Sequence, residues 1–488
     1  MITLRVLSVT LLVLVTSGVA MAQHDVGGGA TSGSATAGDS SRGLGVKVRR
    51  AASRTTTPPR RAVVRRGLTA EQYNAQGDTL FDAEQYDDAL DAYTKAVQLK
   101  PIASAYYHIG WIYNDRDDYT SAIEALQKSI QLSRSNALAF GELGYAFRLL
   151  KRYEEAAAAY RQAITIDPAY ASAYYQLGWL YNTQGLFGQA LEPLRQAVTV
   201  KPGYGEAYAE LGYSLRKLGR YQEAITAYRQ SMIAKPDYAD AYFGLGDVYF
   251  YNTNQYQDAV TQYTHGLQLK PDNATANYNV GWSSNELRQY QQAITYLERA
   301  VNLRPAYPEA FAELGYAYRK LERLNDALRS YNEAVRLKPD YAQPYFGLGD
   351  LYFDNLNQYE NALRMYQQGL RLKPTNSVAN YRIGWIYNDQ GRYADAIAPL
   401  REAVRLKPEY AEAYQELGFA SLSLGRPNEA VASFRQAISI KPDYALAYYN
   451  LGIAYVNLRD RTRALEQYRI LQRLDPARAQ KLYSEINK

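Results

Sequence analysis

A unit of about 34 residues is repeated along most of this chain, and the repeat limits the possible folds more than any other feature. Its clearest marker is a glycine that recurs every 33 to 35 residues. The twelve glycines are Gly77, Gly110, Gly144, Gly178, Gly212, Gly246, Gly281, Gly315, Gly349, Gly384, Gly418 and Gly452. A period of this length predicts one supersecondary unit stacked many times, because a single unit cannot bury its own apolar face. We number the units 1 to 12 in chain order.

Each unit predicts two amphipathic helices joined in a hairpin. In unit 4 the apolar residues of both halves recur at the i, i+3, i+4 and i+7 spacing of a helix face. Gly185 separates the halves, and Lys201 and Pro202 end the second one. A small residue near the start of most second halves lets the two helices approach closely: Ala122, Ala156, Ala190, Ala224, Ala259, Ala293, Ala327, Ala362, Ala396, Ala430 and Ala464.

This pattern resembles the tetratricopeptide repeat (TPR), which has an aromatic residue, Leu-Gly, Tyr, Ala, a second aromatic residue, Ala and Pro at fixed offsets. The corresponding positions of unit 5 are Tyr208, Leu211, Gly212, Leu215, Ala224, Tyr228, Ser231 and Pro236. The resemblance implies an all-α fold, a right-handed α-solenoid of about twelve TPR helical hairpins, over residues 67–476. The polar and apolar pattern of residues 477–488 predicts a C-terminal capping helix, which a solenoid needs over its last apolar face.

The N-terminus has the pattern of a secretory signal. Arg5 precedes an apolar run, and Ala20-Met21-Ala22 is typical of a cleavage site, so residues 1–22 are predicted to be a signal peptide and the protein to be exported. The alternative is an uncleaved anchor, although the run is shorter than the roughly 20 apolar residues of a spanning helix. The chain has no cysteine, so its stability cannot depend on disulfides.

Residues 23–66 are rich in Gly, Ser and Thr and have few large apolar side chains, which predicts a disordered linker. The linker is basic. The first 66 residues have ten basic and two acidic side chains, so the chain's net charge of +6 leaves −2 for the repeats. A basic linker could bind a glycan or an anionic envelope surface through charge, or could be no more than a solvated tether. Export makes nucleic acid an unlikely partner.

The units are of three kinds, which we name by their marker residue. Tryptophan units carry Gly-Trp (Trp111, Trp179, Trp282, Trp385), and glutamate units carry Glu-Leu-Gly followed by an aromatic residue (Glu142, Glu210, Glu313, Glu416). Aspartate units carry Gly-Leu-Gly-Asp (Asp247, Asp350) with one extra residue before the second helix. The later tryptophans lie 103 residues apart, which indicates a repeated module of three units. Trp111 and Glu142 begin an earlier copy that lacks its third unit. Unit 12 occupies an aspartate place but has Ile453.

Catalysis is not expected. The three histidines, His24, His108 and His265, form no metal or triad pattern, and no phosphate-binding loop is present, so no cofactor, metal or catalytic residue is predicted. The repeated glutamates are interpreted as a solvated helix face.

The predicted ligand surface is a stripe on the first helices, which in the TPR family lines the concave groove. Its residues rotate with the kind of unit, and packing alone does not obviously require that rotation. The candidates are Tyr175, Trp179, Asn182, Tyr213, Arg216, Phe243, Asp247, Tyr278, Trp282, Asn285, Tyr316, Arg319, Phe346, Asp350, Tyr381, Trp385 and Asn388. The competing interpretation is that these aromatics only pack sideways on adjacent helices. The family's Lys and Asn clamp for a C-terminal carboxylate is missing.

Together these features predict an exported, non-catalytic TPR scaffold that binds protein or peptide partners on its concave, aromatic-rich face. The alternative is a carbohydrate-binding or cell-envelope assembly factor, because Trp and Tyr also stack on sugar rings.

Overall fold

The computed structural model describes residues 67–488. The predicted signal peptide (1–22) and basic linker (23–66) lie outside these residues. The described part of the chain folds into 25 α-helices without a β-strand. The twelve predicted hairpins are therefore confirmed, and the chain is an all-α solenoid.

Each unit has a first helix and a second helix. The first helices are α1 (Ala70–Asp82), α3 (Ala103–Asp115), α5 (Ala137–Leu149), α7 (Ala171–Thr183), α9 (Gly205–Lys217), α11 (Ala239–Asp247), α13 (Ala274–Glu286), α15 (Pro308–Lys320), α17 (Ala342–Asp350), α19 (Ser377–Asp389), α21 (Ala411–Ser423) and α23 (Ala445–Asn457). The second helices are α2 (Tyr86–Leu99), α4 (Tyr119–Leu132), α6 (Tyr153–Ile166), α8 (Phe187–Val200), α10 (Tyr221–Ala234), α12 (Tyr256–Leu269), α14 (Tyr290–Leu303), α16 (Leu324–Leu337), α18 (Tyr359–Leu372), α20 (Tyr393–Leu406), α22 (Pro427–Ile440) and α24 (Arg461–Leu474).

Within a unit the repeat glycine and the small residue of the second helix bring the two helices together. A Cβ atom on Gly178 would lie 2.5 Å from Leu194 Cγ, closer than van der Waals contact allows. The alanine near the start of each second helix, such as Ala190, is fully buried. A larger side chain at either position would push the helices apart.

Every hairpin turn contains one residue in the left-handed backbone region, with φ between 53° and 75°. Glycine takes this position in units 4, 5, 10 and 11, as the sequence predicts for Gly185. The other eight turns use residues that favour this region less: Glu84, Asp117, Lys151, Asn254, Arg288, Glu322, Asn357 and Arg459. The turn geometry is therefore constant although its residue is not.

The extra residue of the aspartate units lies in a helix and not in the turn. A π-helical segment continues α11 over Val248–Asn252, and a second one continues α17 over Leu351–Asn355. A π turn absorbs one additional residue without breaking the helix. The same place in the fold therefore presents a different set of side chains in units 6 and 9.

The first helices line the inner side of the array. Each second helix packs on the first helix of the next unit, and first helices of consecutive units also touch one another, as α7 and α9 do. Second helices of consecutive units make no comparable contact in the described part of the chain. We call the surface formed by the first helices the inner face.

The array ends in α25 (Pro476–Ile486), which packs on α23 and α24. Ala479, Leu482 and Ile486 are buried in this contact, while Tyr483 is exposed. One face of α25 therefore covers the last hairpin and the other meets solvent. Along residues 67–488 no helix is long and apolar enough to cross a membrane.

Candidate functional site

The predicted ligand stripe lies on the inner face, but most of its side chains contact a neighbouring unit. Three kinds of boundary repeat along the array, and each uses a different set of stripe residues.

Each tryptophan is half-buried and packs sideways on the unit before it. The Trp282 ring lies 5.0 Å from the Phe250 ring and 5.2 Å from the Tyr256 ring, both with T-shaped geometry. Trp385 repeats the contacts, at 5.0 Å from Phe353 and 5.4 Å from Tyr359. These rings stabilise the boundary between an aspartate unit and a tryptophan unit, and the remaining ring surface faces solvent.

Tyr213 and Tyr316 are the corresponding rings of the glutamate units, and both are half-buried. Tyr213 contacts Phe187 at 5.8 Å, and its ring also lies 5.6 Å from the Lys217 ammonium group. Tyr316 lies 5.3 Å from the Lys320 ammonium group in the same way. The aromatic row along the inner face therefore continues from each tryptophan unit to the glutamate unit that follows it, and Asp247 and Asp350 interrupt it in the aspartate units.

A second set of tyrosines lies deeper. The Tyr175 ring packs on Tyr204 at 5.0 Å, and the corresponding distances are 5.0 Å for Tyr278 on Tyr307 and 4.9 Å for Tyr381 on Tyr410. Burial raises the pKa of Tyr175 well above its ordinary value, and the nearby Glu210 carboxylate raises it further. These hydroxyls therefore stay protonated.

The three candidate asparagines are buried and differ from the expectation that they line an open surface. Asn182, Asn285 and Asn388 are 6%, 3% and 1% exposed. Each amide group donates hydrogen bonds to a glutamate 28 residues later, on the next first helix. The Nδ2 atom of Asn182 lies 2.8 Å from Glu210 Oε2 and 3.1 Å from the Glu210 carbonyl oxygen.

The same hydrogen bonds occur at all four boundaries between a tryptophan unit and a glutamate unit. The Nδ2 to Oε2 distances are 2.8 Å for Asn114 to Glu142, 2.9 Å for Asn285 to Glu313 and 2.8 Å for Asn388 to Glu416. The interpretation of these glutamates as a solvated helix face was therefore wrong. They are half-buried and hold two consecutive first helices together.

Burial is the main cause of the raised pKa values of Glu210 and Glu313. It raises the pKa of Glu210 to about 7, and the amide of Asn182 opposes this shift while the charge of Asp240 adds to it. Burial likewise raises the pKa of Glu313 to about 7, with Asn285 opposing and Glu286 adding. No basic group is among the causes of either shift, and none forms an ion pair with Glu210 or Glu313 in the described part of the chain.

The candidate arginines and aspartates pair with each other at the boundary between a glutamate unit and an aspartate unit. Arg216 Nη2 lies 3.3 Å from Asp247 Oδ2, and Arg319 Nη2 lies 3.5 Å from Asp350 Oδ2. The side chains of Arg216 and Arg319 are 14% and 11% exposed. Their alternation along the stripe is therefore explained by ion pairs between units.

The aspartates have a second partner inside their own unit. Tyr263 Oη donates to Asp247 Oδ1 at 2.7 Å, and Tyr366 Oη donates to Asp350 Oδ1 at 2.8 Å. Unit 1 shows the same bond, 2.8 Å from Tyr93 to Asp78. Unit 1 therefore resembles an aspartate unit. The sequence pattern did not reveal this relation, because unit 1 lacks the extra residue.

Phe243 and Phe346 point between helices. Each ring fills the space that a side chain on a second-helix glycine would need. A Cβ atom placed on Gly266 would lie 2.5 Å from the Phe243 ring, and one placed on Gly369 would lie 2.5 Å from the Phe346 ring. Glycine in these second helices makes room for the ring. Both phenylalanines are therefore packing residues.

The π segments bring further side chains to the inner face. Tyr251 Oη donates to Asn279 Oδ1 at 3.3 Å. At the equivalent positions of units 9 and 10, Asp354 Oδ1 lies 3.0 Å from Arg382 Nη1. The sequence analysis did not predict these pairs. The signal that could have revealed them is that Tyr251 and Asn279 are replaced together, by Asp354 and Arg382, one module later.

The boundary between units 3 and 4 shows what happens when the aspartate unit is missing. Arg148 occupies the place of Arg216, but the next unit offers Trp179. The guanidinium carbon lies 4.8 Å from the Trp179 ring centre and 5.0 Å from the Tyr145 ring centre. A cation–π contact replaces the ion pair.

The described residues of this surface show no grouping of metal ligands. Between residues 67 and 488, no three His, Asp or Glu side chains are grouped so that they could hold a metal ion. The chemistry that the inner face offers is aromatic contact and hydrogen bonding, with half-buried carboxylates at regular intervals.

Comparison with known proteins identifies the repeat. A family model described as TPR repeat matches residues 144–185, 212–252, 315–355, 384–425 and 420–458. A model described as tetratricopeptide repeat matches residues 74–137 and 248–311. A second model with the same description matches residues 171–204, 342–376 and 445–478.

Individual relatives match shorter stretches. The chain is 35% identical over 78 residues to E3 ubiquitin-protein ligase CHIP of Arabidopsis thaliana, which is 16% of this chain and 28% of that protein. It is 32% identical over 69 residues to Tetratricopeptide repeat protein 13 of Homo sapiens, which is 14% of this chain and 8% of that protein. The matched segments thus span less than a third of either relative.

Among solved structures, the chain is similar to the APC/C hetero-tetramer Cut9-Hcn1, with a TM-score of 0.40 at 14% identity, covering 86% of this chain and 96% of that one. Together the family models cover most of residues 74–478. The chain belongs to the tetratricopeptide repeat family.

Proposed function

We propose that this protein is an exported, non-catalytic scaffold that binds a protein or peptide partner on its inner face. Arrays of tetratricopeptide repeats are typical scaffolds for protein–protein interaction. The observation that carries the proposal is the repeated pair of half-buried Trp and Tyr rings on the first helices of consecutive tryptophan and glutamate units. Half-buried aromatic rings on a rigid support are the residues that most often dominate binding energy at interfaces.

The lateral packing of these rings does not exclude a ligand role, because each ring uses one face or edge for the neighbouring unit. Trp282 makes two ring contacts with unit 6 and is still only half-buried. Packing of this kind holds a ring rigidly, which reduces the entropy lost when a partner binds.

A binding experiment with Trp282→Ala tests the role of the inner face. A random peptide library is selected on the mature protein, and the best binder is measured against Trp282→Ala and against Ile233→Ala. Ile233 lies on a second helix and is 72% exposed, so it serves as the outer-face control. Loss of one central aromatic anchor is expected to weaken binding about thirtyfold or more, while Ile233→Ala binds normally.

Stability must be measured on the same variants, because Trp282→Ala also removes packing. If the folded fraction of Trp282→Ala binds peptide as tightly as the parent, the ring is only structural. If the library yields no binder and a glycan array does, the alternative of a carbohydrate-binding envelope factor replaces the present proposal.

Export is a separate part of the proposal and is supported by the pattern of residues 1–22. The mature protein is expected to begin at Gln23. N-terminal sequencing after cell fractionation checks this, and an intact Met1 retained in the membrane fraction would contradict it.

A further inference from the structure

The boundaries between tryptophan and glutamate units carry a repeated carboxylate whose charge no contact within the described part of the array balances at Glu210 and Glu313. Two of these boundaries, those of Glu210 and Glu313, show it most clearly. The charge of Glu210 raises the pKa values of Tyr175, Tyr228 and Tyr238, in addition to the larger effect of burial.

Glu313 has the same surroundings one module later. Its charge adds to the effect of burial on the pKa values of Tyr278, Tyr331 and Tyr341. Each carboxylate thus acts electrostatically on tyrosines from its own unit, the unit before and the unit after. We call the two surroundings the Glu210 site and the Glu313 site.

Both carboxylates lack a balancing charge. Among the described residues, no Lys, Arg or His forms an ion pair with Glu210 or Glu313, whereas Arg216 and Arg319 are each paired with an aspartate. The charged groups that shift their pKa values are acids, Asp240 for Glu210 and Glu286 for Glu313. A half-buried carboxylate without a counter-charge is costly for the folded protein.

The carboxylates are also fixed in position. Asn182 and Asn285 each donate from Nδ2 to Oε2 of the glutamate at 2.8 Å and 2.9 Å. This bond leaves Oε1 for another donor, and the side chain is partly open to solvent. A carboxylate held rigidly among aromatic rings binds a cation with little loss of side-chain entropy.

We propose that the Glu210 and Glu313 sites are cation-accepting sites on the inner face, and that the partner is a basic polypeptide segment whose arginine or lysine side chains occupy them. The inference rests on the proposed function and names the chemistry of its partner. The sites are three units apart, so one extended segment with several basic residues fits them better than a single small cation. The same Asn to Glu bonds at Asn114 and Asn388 extend the series toward both ends of the array.

The test compares two labelled peptides that differ only in charge, (Gly-Ser-Arg)6 and the same peptide with citrulline in place of arginine. Citrulline keeps the shape of arginine but is neutral. Binding to the mature protein is measured by fluorescence anisotropy at pH 8 and low ionic strength. The arginine peptide is expected to bind at least tenfold more tightly.

The decisive variant is Glu210→Gln combined with Glu313→Gln. Glutamine can still accept the asparagine hydrogen bond, so the fold is kept, and thermal unfolding checks this. The matched control is Glu154→Gln combined with Glu466→Gln, which removes the same charge from exposed positions of α6 and α24. The inner-face variant is expected to lose tenfold or more in affinity for the arginine peptide, and the control less than twofold.

Three results would overturn the inference: an unchanged affinity of the inner-face variant, an equal loss in the control, or equal binding of the citrulline peptide. Peptides selected from the random library separate this failure from that of the proposed function. Neutral peptides that need Trp282 would leave the proposed function standing and refute the cation sites. If no peptide binds the inner face, both are refuted.

Discussion

Replacing Ala317 with serine is expected to stabilise the boundary between units 7 and 8. In the equivalent boundary of units 4 and 5, Ser214 Oγ donates to the buried Asn182 Oδ1 at 2.6 Å. Ala317 occupies the position of Ser214, and Asn285 Oδ1 is buried without a partner among the described residues. A serine hydroxyl at position 317 would supply the missing donor.

The magnitude follows from two opposing effects. One intramolecular hydrogen bond contributes about 0.5 to 1.5 kcal/mol, and satisfying a buried acceptor favours the upper part of this range. Serine costs up to about 0.5 kcal/mol relative to alanine in a helix. Ala317→Ser should therefore stabilise by about 0.5 to 1 kcal/mol. The reverse change, Ser214→Ala, should destabilise by about 1 to 2 kcal/mol, because it leaves Asn182 Oδ1 unpaired.

The chain supplies its own control at Ser283, which has the same offset from its repeat glycine as Ser214. Its hydroxyl is buried and has no partner among the described residues, because the preceding unit has Phe250 where unit 4 has Asn182. Ser283→Ala should therefore be neutral or stabilising.

A local measurement is needed, because a long array need not unfold in one step. Native-state hydrogen exchange with mass spectrometry reports the opening free energy of α13 to α15 for Ala317→Ser and Ser283→Ala, and that of α7 to α9 for Ser214→Ala. A difference of 1 kcal/mol is about a fivefold change in exchange rate. The hydrogen-bond argument is refuted if Ser214→Ala exchanges as slowly as the parent, or if Ser283→Ala loses as much protection as Ser214→Ala.

Four further predictions concern the fold. The folded-state pKa of Glu210 and Glu313 is raised to about 7, so their ionisation should destabilise the array as the pH rises from about 4.5 to about 7. The Gln double variant should therefore gain stability over the parent at pH 8 relative to pH 5, by about 1 to 2 kcal/mol per site after allowance for partial exposure, and equal melting curves at both pH values would contradict this. Gly178→Ala should destabilise by about 1 to 3 kcal/mol in urea unfolding, because its Cβ atom would overlap the second helix; an unchanged midpoint would show that the helices yield easily. Glu322→Gly should stabilise by up to about 1 kcal/mol, because position 322 has a φ of 59°, and thermal unfolding that shows a loss would contradict the strain. Deletion of residues 239–273 should give a folded array, checked by circular dichroism, because the chain already joins a glutamate unit to a tryptophan unit at units 3 and 4; an aggregated product would show that the aspartate unit is essential.

The fold was predictable because its determinants are local. The glycine period gives the number of units, and the spacing of apolar residues gives two helices in each. The sequence did not reveal where the extra residue of the aspartate units lies. A helix can absorb an insertion as a π turn at little cost, so the count of residues does not separate Val248–Asn252 from an ordinary longer loop.

The site was predictable only in part. Helical periodicity correctly assigns Trp282 and Tyr316 to the inner face, but it does not say which side chains of the next unit reach them. Asn285 was therefore taken for a ligand residue and Glu313 for a solvated one, although they bond to each other. The signal was present in the sequence, because an asparagine precedes a glutamate of the next unit by 28 residues at four unit boundaries.

The rotation of unit kinds is explained by the boundaries themselves. A tryptophan unit supplies an asparagine to the glutamate of the next unit, and a glutamate unit supplies an arginine to the aspartate of the one after. An aspartate unit supplies a phenylalanine to the tryptophan that follows. Each kind is thus complementary to its successor, and a module copied as three units keeps all three contacts.

This complementarity changes what counts as support for a binding surface. Side chains that rotate with the unit kind, such as Asn182, Arg216 and Phe243, are accounted for by contacts within the array. What the array leaves unused is the outer part of the aromatic rings and one oxygen each of Glu210 and Glu313. Because neutral packing residues would hold the same boundary without the cost of an unbalanced charge, the retained carboxylates at Glu210 and Glu313 are the residues whose presence a bound partner would explain best.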